Sequence, residues 1–442
     1  MTKPTNPPQS VRSVSRRAVL AAGAGTAAAL TLPSAARAEV SGGRLAPARH
    51  VVLIAWDGFD PAYLDLLETP NLDQLTRRGV LGTTTGCFPS ITNTSWASVA
   101  TGAWPRTHLN TPYFLDPSTG RAVSQNRTLE AQSIAEAVAA AGGTVASVQF
   151  FIVQNHGVVF GDPRALYVQP GGTGPARFDV AVDILHGRPV RSGSTTVTVE
   201  EPPTLLAVYA DDLDALGHRE GAESPAMGPT LAGLDAALGR LVQATKDVGI
   251  YGSTAFVILG DHGMTTFTRG FGGLALTALT EAGFTPEFVS PGAAPAASTD
   301  VALVVGGVAS VHLLGAARTA DGIARARAAL EAVEPVERVY DRADLDAFGA
   351  SPLLGDLVAE PAAGWSFGME DPDGPRGYHG RTGEREAALL VAGRGVSPRA
   401  RLDQARHVDI APTIAALLGI PAPAQAEGRV LDEALQHGGA TH

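Results

Sequence analysis

The segment His50-Val51-Val52-Leu53-Ile54-Ala55-Trp56 runs without a break into Asp57-Gly58. A short apolar run with no polar alternation, closed by a turn dipeptide, reads as a strand buried on both faces. The same pattern recurs over 145–151, 205–210, 254–260 and 387–392, with helical stretches between. Such runs predict an α/β fold: a central, mostly parallel sheet with helices on both faces. Three of the strands lead directly into acids, at Asp57, at the pair Asp211-Asp212 and at Asp261. Open α/β sheets gather ligands at the carboxyl ends of their strands, so these acids fall where chemistry is expected.

Working outward, Thr69-Pro70-Asn71-Leu72-Asp73-Gln74-Leu75 predicts a helix with Thr69 as N-cap, Pro70 in its first turn and Gly79 beyond its end. A last helix is predicted over 407–420, ended by Gly419. Between Gly263 and Gly364 the alternation weakens. Residues 290–299 read as a loop, followed by an alanine-rich helix and short strand candidates. This predicts an accessory or cap region, inserted at about 265–364 in one catalytic domain over 39–442.

Of 442 residues, 45% are hydrophobic and 17% charged, the balance of a folded chain, while 51 glycines and 31 prolines point to many loops. The first 38 residues hold Lys3, Arg12, Arg16, Arg17 and Arg37 and no acid, so the formal charge of −11 becomes −16 without them. That field opposes binding to nucleic-acid backbones. Ser15-Arg16-Arg17-Ala18-Val19-Leu20 sets paired arginines ahead of an apolar run over 18–32, and Ala36-Arg37-Ala38 suits a signal peptidase. This is the pattern of a twin-arginine signal over 1–38. It predicts the twin-arginine export machinery as a partner and a secreted, periplasmic or cell-envelope location. The run is shorter than the roughly 20 residues that span a bilayer, so no stable membrane anchor is expected. Cys87 is the one cysteine, which excludes an internal disulfide and a thiolate zinc site.

Polar groups of a chemical kind cluster in separated segments. They are Asp57-Gly58; Thr92 within Phe88-Pro89-Ser90-Ile91-Thr92-Asn93-Thr94-Ser95-Trp96; Asp214 and His218; Asp261-His262-Gly263-Met264; and His379-Gly380. Taken singly, an acid at a strand end caps a helix or meets an arginine more often than it binds an ion. His50, His108, His156 and His407 read as surface, packing or capping residues.

Taken jointly, in order, spacing and flanking residues, these segments resemble the type I phosphodiesterase/nucleotide pyrophosphatase branch of the alkaline phosphatase superfamily, which has phosphonoacetate hydrolases among its relatives. The resemblance runs from Arg49 to about Ile420 and is weakest in the accessory region. It implies an alkaline phosphatase-like fold and two divalent ions, zinc first, with manganese or iron as alternatives. It assigns Asp214, His218 and His379 to one ion and Asp57, Asp261 and His262 to the other, with the Thr92 oxygen beside the second. Three carboxylates and a threonine alkoxide balance the charge of two divalent ions, leaving room to accept a phosphate. Thr92 is implied as the nucleophile, forming a phospho-threonine that water then cleaves.

Cys87-Phe88-Pro89-Ser90 superficially resembles the sulfatase signature, but Ile91 stands where that signature has arginine. The Thr-Gly pair expected nine residues after the nucleophile is Thr101-Gly102, which counts back to Thr92. Cys87 therefore reads as a small buried thiol. Three residues after the nucleophile the family usually carries an asparagine that donates to a phosphate oxygen; here Ser95 stands there and can donate one hydrogen bond. Trp96, Trp104, Tyr113 and Phe114 either stack on a nucleobase or aryl group or pack beneath the loop. Lys3 and Lys246 are the two lysines, so a lysine-lined monoester or phosphonate pocket could draw only on Lys246, at a helix end.

The expected activity is hydrolysis of a small phosphate ester, nucleotide-like included, with diesters and nucleotide pyrophosphates ahead of monoesters. Phosphonate C–P cleavage and a catalytically silent metal- or anion-binding protein are the alternatives.

Overall fold

Each of the apolar runs that opens the reading becomes a strand, and eight strands form one sheet. They are β1 (His50–Trp56), β2 (Gly79–Thr85), β3 (Val145–Val148), β4 (Ala165–Val168), β5 (Leu205–Ala210), β6 (Thr254–Leu259), β7 (Glu386–Gly393) and β8 (Ala405–Arg406), in the spatial order β8-β2-β7-β6-β1-β5-β3-β4. This computed structural model describes residues 47–398, 400–402 and 404–436, so the signal predicted over 1–38 lies outside the described residues. Alternate residues of β1 feed two cores. Val51, Leu53 and Ala55 pack on one side with Trp96, Ile134 and Ile414, and Val52, Ile54 and Trp56 on the other with Phe178, Leu234 and Leu238. Helices thus cover both faces, which is why the strand sequence shows no polar alternation.

All neighbouring strands are parallel except at β7, which runs antiparallel to both β6 and β2. The sheet is therefore mixed but mostly parallel. Because β7 is reversed, its first residue, Glu386, lies at the edge where β6, β1 and β5 end. The chain that feeds β7 is delivered to that same edge.

Several boundaries shift from the sequence reading. The first helix spans Pro70–Thr76 and Thr69 occupies its N-cap position, but the Thr69 hydroxyl meets Asp73 at 3.4 Å instead of capping the backbone, and Gly79 opens β2. The run at 145–151 ends as a strand at Val148. The last helix starts as a 3-10 turn over His407–Asp409, continues as Ile410–Leu418 and stops at Gly419 with φ +69°.

In the accessory region a five-stranded sheet orders Pro286–Phe288, Val301–Gly306, Val308–Leu313, Leu357–Pro361 and Val336–Tyr340. Helices Gly272–Glu281 and Ala320–Glu331 cover it, with Ala275, Leu279, Ala326 and Leu330 in its own core. The hairpin turn Gly306-Gly307 points at the edge described above. A Cβ on Gly306 would stand 2.0 Å from the Tyr113 ring, and one on Gly307, whose φ is +85°, 1.8 Å from the His379 carbonyl oxygen. No helix among the described residues is long and apolar enough to cross a membrane.

Candidate metal centre

Adjacent parallel strands put their ends side by side, and β6, β1 and β5 are consecutive in the sheet. Asp57 follows β1, Asp261 follows β6, and the helix Asp212–Glu220 that follows β5 carries Asp214 and His218 one turn apart on one face. The reversed β7 explains how the last candidate arrives, because His379 sits in the stretch that leads into it. Two clusters result: Asp214 with His218 and His379, and Asp57 with Asp261 and His262, the donor atoms of each set lying within 4.8 Å of one another.

The geometry around His262 fits an ion. Its Nε2 stands 3.3 Å from Asp57 Oδ1, 3.3 Å from Asp261 Oδ2 and 3.2 Å from Thr92 Oγ1. Four donors arranged tetrahedrally at about 2.0 Å from a central ion are separated from each other by about 3.3 Å. In the other set His218 Nε2 and His379 Nε2 stand 3.3 and 3.6 Å from Asp214 Oδ1. Asp57 Oδ1, Asp261 Oδ2 and Asp214 Oδ1 are buried with no hydrogen-bond donor. Leaving three carboxylate oxygens unpaired indoors costs several kcal/mol, which a bound cation removes.

Each imidazole is oriented by the backbone. The Nδ1 of His218, His262 and His379 meets the carbonyls of Gly377, Gly263 and Ser90 at 2.8, 2.9 and 2.8 Å. A carbonyl accepts only a protonated Nδ1, so in the neutral ring it is Nε2 that carries the lone pair, directed into the site. Ser90, fully buried, adds an Oγ–H to the Arg381 carbonyl at 2.8 Å and accepts from the Gly380 N–H at 3.2 Å, fastening the turn that carries His379. Gly58, at φ +68°, donates its N–H to Asp261 Oδ1 at 3.0 Å, and a Cβ there would lie 3.1 Å from the Asp214 backbone.

The electrostatics match a site built for cations. Burial first, and the charge of Asp214 next, push Asp57 well above the usual carboxylate range; burial and Asp57 do the same to Asp261. Burial works against the charge on Asp214 too, but pairing with His218 at 3.3 Å and the nearby His379 hold it at about 2. Burial likewise opposes the charge on His218, yet pairing with Asp214 lifts it to about 9. Burial lowers His379 to about 4 and pushes His262 well down, and their rings stack with centroids 3.5 Å apart.

Other sequence candidates are placed as follows. Thr92 opens the helix Thr92–Thr101 with its hydroxyl on His262. The Ser95 hydroxyl is fully buried and faces the Cys87 sulfur at 3.6 Å; Cys87 itself is fully buried, and burial pushes its thiol up. Trp96 and Phe114 pack in the interior, whereas Tyr113 leans on Gly306. His108 is buried against Ser98 at 3.0 Å, His50 meets the Pro203 carbonyl at 2.9 Å, and His407 is buried. Lys246, in the last turn of the helix Met227–Asp247 that precedes β6, lies at the opposite edge of the sheet. Sequence reasoning missed Tyr209, Ser90 and Gln125, whose Oε1 takes the Asn93 N–H at 2.9 Å.

Residues 51–383 match the family described as type I phosphodiesterase/nucleotide pyrophosphatase. The chain belongs to that family. Among curated relatives, human ectonucleotide pyrophosphatase/phosphodiesterase family member 5 is 40% identical over 68 residues, covering 15% of this chain and 14% of that protein. A pyrophosphatase/phosphodiesterase of Schizosaccharomyces pombe is 26% identical over 234 residues, 48% of this chain and 44% of that one. The chain thus spans about half or less of the length of the curated relatives it matches. Among solved structures, murine ectonucleotide pyrophosphatase/phosphodiesterase 5, an inactive variant in complex with AMP, aligns with a TM-score of 0.66 at 18% identity, covering 85% of this chain and 96% of that chain. Its human counterpart aligns at 0.65 and 19% identity, over 84% of this chain and 96% of that one. The phosphodiesterase/nucleotide pyrophosphatase fold expected from the sequence is therefore the fold found.

Proposed function

We propose that the chain is a two-metal hydrolase of phosphodiester or nucleotide pyrophosphate bonds in which Thr92 is the nucleophile. The observation that carries this reading is His262 Nε2 standing 3.2 Å from Thr92 Oγ1 and 3.3 Å from both Asp57 Oδ1 and Asp261 Oδ2. Family membership and the AMP bound by the murine relative support a small nucleotide-like substrate. With two carboxylates, an imidazole and a hydroxyl as donors, zinc is the ion proposed first, with manganese and iron as alternatives.

When bound, the ions would keep the threonine oxygen ionised near neutral pH and neutralise charge developing on the phosphoryl group. Asp57, Asp261 and His262 would hold one, and Asp214, His218 and His379 the other. The chain supplies the rest. Thr92 lies at the start of a ten-residue helix, whose N-terminal dipole favours the phosphoryl anion. Its oxygen attacks phosphorus in line, the alcohol or phosphate on the far side leaves, and water then cleaves the phospho-threonine. Ser95, proposed from sequence as a phosphate donor, has its buried hydroxyl 3.6 Å from the Cys87 sulfur.

The monoester brings a second negative charge, and Lys246, the lysine among the described residues, is at the opposite edge of the sheet. A nitrophenyl phosphodiester or a nucleotide pyrophosphate is expected to show the higher kcat/KM, compared with nitrophenyl phosphate on the metal-loaded protein. A monoester turned over tenfold better, about 1.4 kcal/mol in the wrong direction, would make this a phosphomonoesterase on the same scaffold.

Export is proposed on the paired arginines alone. Arg16→Lys with Arg17→Lys is expected to keep the precursor in the cytoplasm, read by fractionation. Export undiminished in that variant would remove the twin-arginine assignment.

A further inference from the structure

Tyr209 lies in β5, opposite Ala55 of β1, and the sequence Leu-Leu-Ala-Val-Tyr-Ala gives it the look of a core residue. Its ring is held on two sides, edge-on to Phe151 at 5.2 Å and to Trp96 at 6.2 Å. Its hydroxyl does not seek solvent. It donates a short hydrogen bond to Asp57 Oδ2, the oxygen that is not the orphan.

The partner acid is treated in the same way. Gly58 N–H occupies Asp261 Oδ1 and leaves Oδ2 unpaired. Each carboxylate of this set therefore has one oxygen claimed by the protein and one free. With His262 Nε2 and Thr92 Oγ1, that makes four available donors.

We propose that Tyr209 is a positioning residue that makes Asp57 a one-oxygen ligand and so keeps the Thr92 ion four-coordinate. The inference rests on the two-metal reading above. A carboxylate with both oxygens free can swing or bind through both, and a site that gains a fifth or sixth donor leaves less electrophilic pull on the threonine oxygen.

The test replaces the ions by cobalt(II), whose visible absorption is strong in four-coordinate sites and weak in six-coordinate ones. Three proteins are compared: the parent, Tyr209→Phe, which removes one oxygen and keeps the ring, and Phe151→Leu, which loosens the ring and keeps the hydroxyl. Tyr209→Phe is expected to lose visible intensity, and its ion is expected to be stripped by chelator about 10- to 100-fold more readily. Phe151→Leu should keep the parent band. The proposal is overturned if the Tyr209→Phe band is unchanged, whatever its chelation rate, or if Phe151→Leu loses the same intensity. A parent that takes up no cobalt would instead sink the two-metal reading itself, so the two failures are told apart by the parent alone.

Discussion

Stripping both ions with a chelator is expected to lower kcat on a nitrophenyl phosphodiester by at least about 1,000-fold, or ~4 kcal/mol of barrier, with recovery on adding zinc back. Asp57, Asp261 and Asp214 each keep one buried carboxylate oxygen without a hydrogen bond, and a bound cation would neutralise them. Elemental analysis should find close to two ions per chain. His379→Ala should weaken the Asp214-His218 ion selectively, since its removal leaves the Asp57-Asp261-His262 set intact. The dependence on pH follows from sign. Asp57 and Asp261 are raised, so they hold protons to a higher pH than free carboxylates, and His218 keeps its proton up to about 9. An ion must displace these protons, so its retention should strengthen as pH rises from acid toward that value and fail on acidification. A metal-free preparation at full activity would end the two-metal account.

Thr92→Ala is expected to lose at least about 100-fold in kcat, ~2.7 kcal/mol, while its metal content stays near two. The hydroxyl is the one group in the His262 set that is neither acid nor imidazole, and its loss removes the attacking atom while leaving both carboxylates and the imidazole to hold the ion. Cys87→Ser should change kcat little, because the thiol is buried and bonded toward the Pro89 carbonyl and Ser95. The reverse pair of results, or formylglycine at position 87 by mass spectrometry, would move the chemistry to the sulfatases.

Strands buried on both faces were legible because burial erases polar alternation; β1, β5 and β6 announced themselves and carried three acids with them. The histidines of the two candidate clusters were reached through resemblance, since no spacing rule joins residue 57 to residue 379. Strand direction was not legible. The run at 387–392 gives no local sign that β7 is reversed, yet that reversal decides why His379 precedes its strand whereas Asp57 and Asp261 follow theirs. Tyr209 was hidden for a different reason: an aromatic among aliphatics looks the same whether its hydroxyl is idle or holds a carboxylate. The Gly306-Gly307 turn fell where periodicity weakens, and its meaning lies in what it touches, which no local pattern encodes.

That turn ties the accessory sheet to the chemistry. With no side chain between them, the Gly307 backbone rests directly against the carbonyl of His379, and Tyr113 fills the space over Gly306. Any free energy that the seated hairpin contributes to keeping His379 in place must, by reciprocity, be returned to the hairpin when an ion fixes that histidine. With His379 holding an ion, the inserted sheet would be coupled to that loaded state, and a lesion at its tip would be felt as a loss of metal although it removes no ligand.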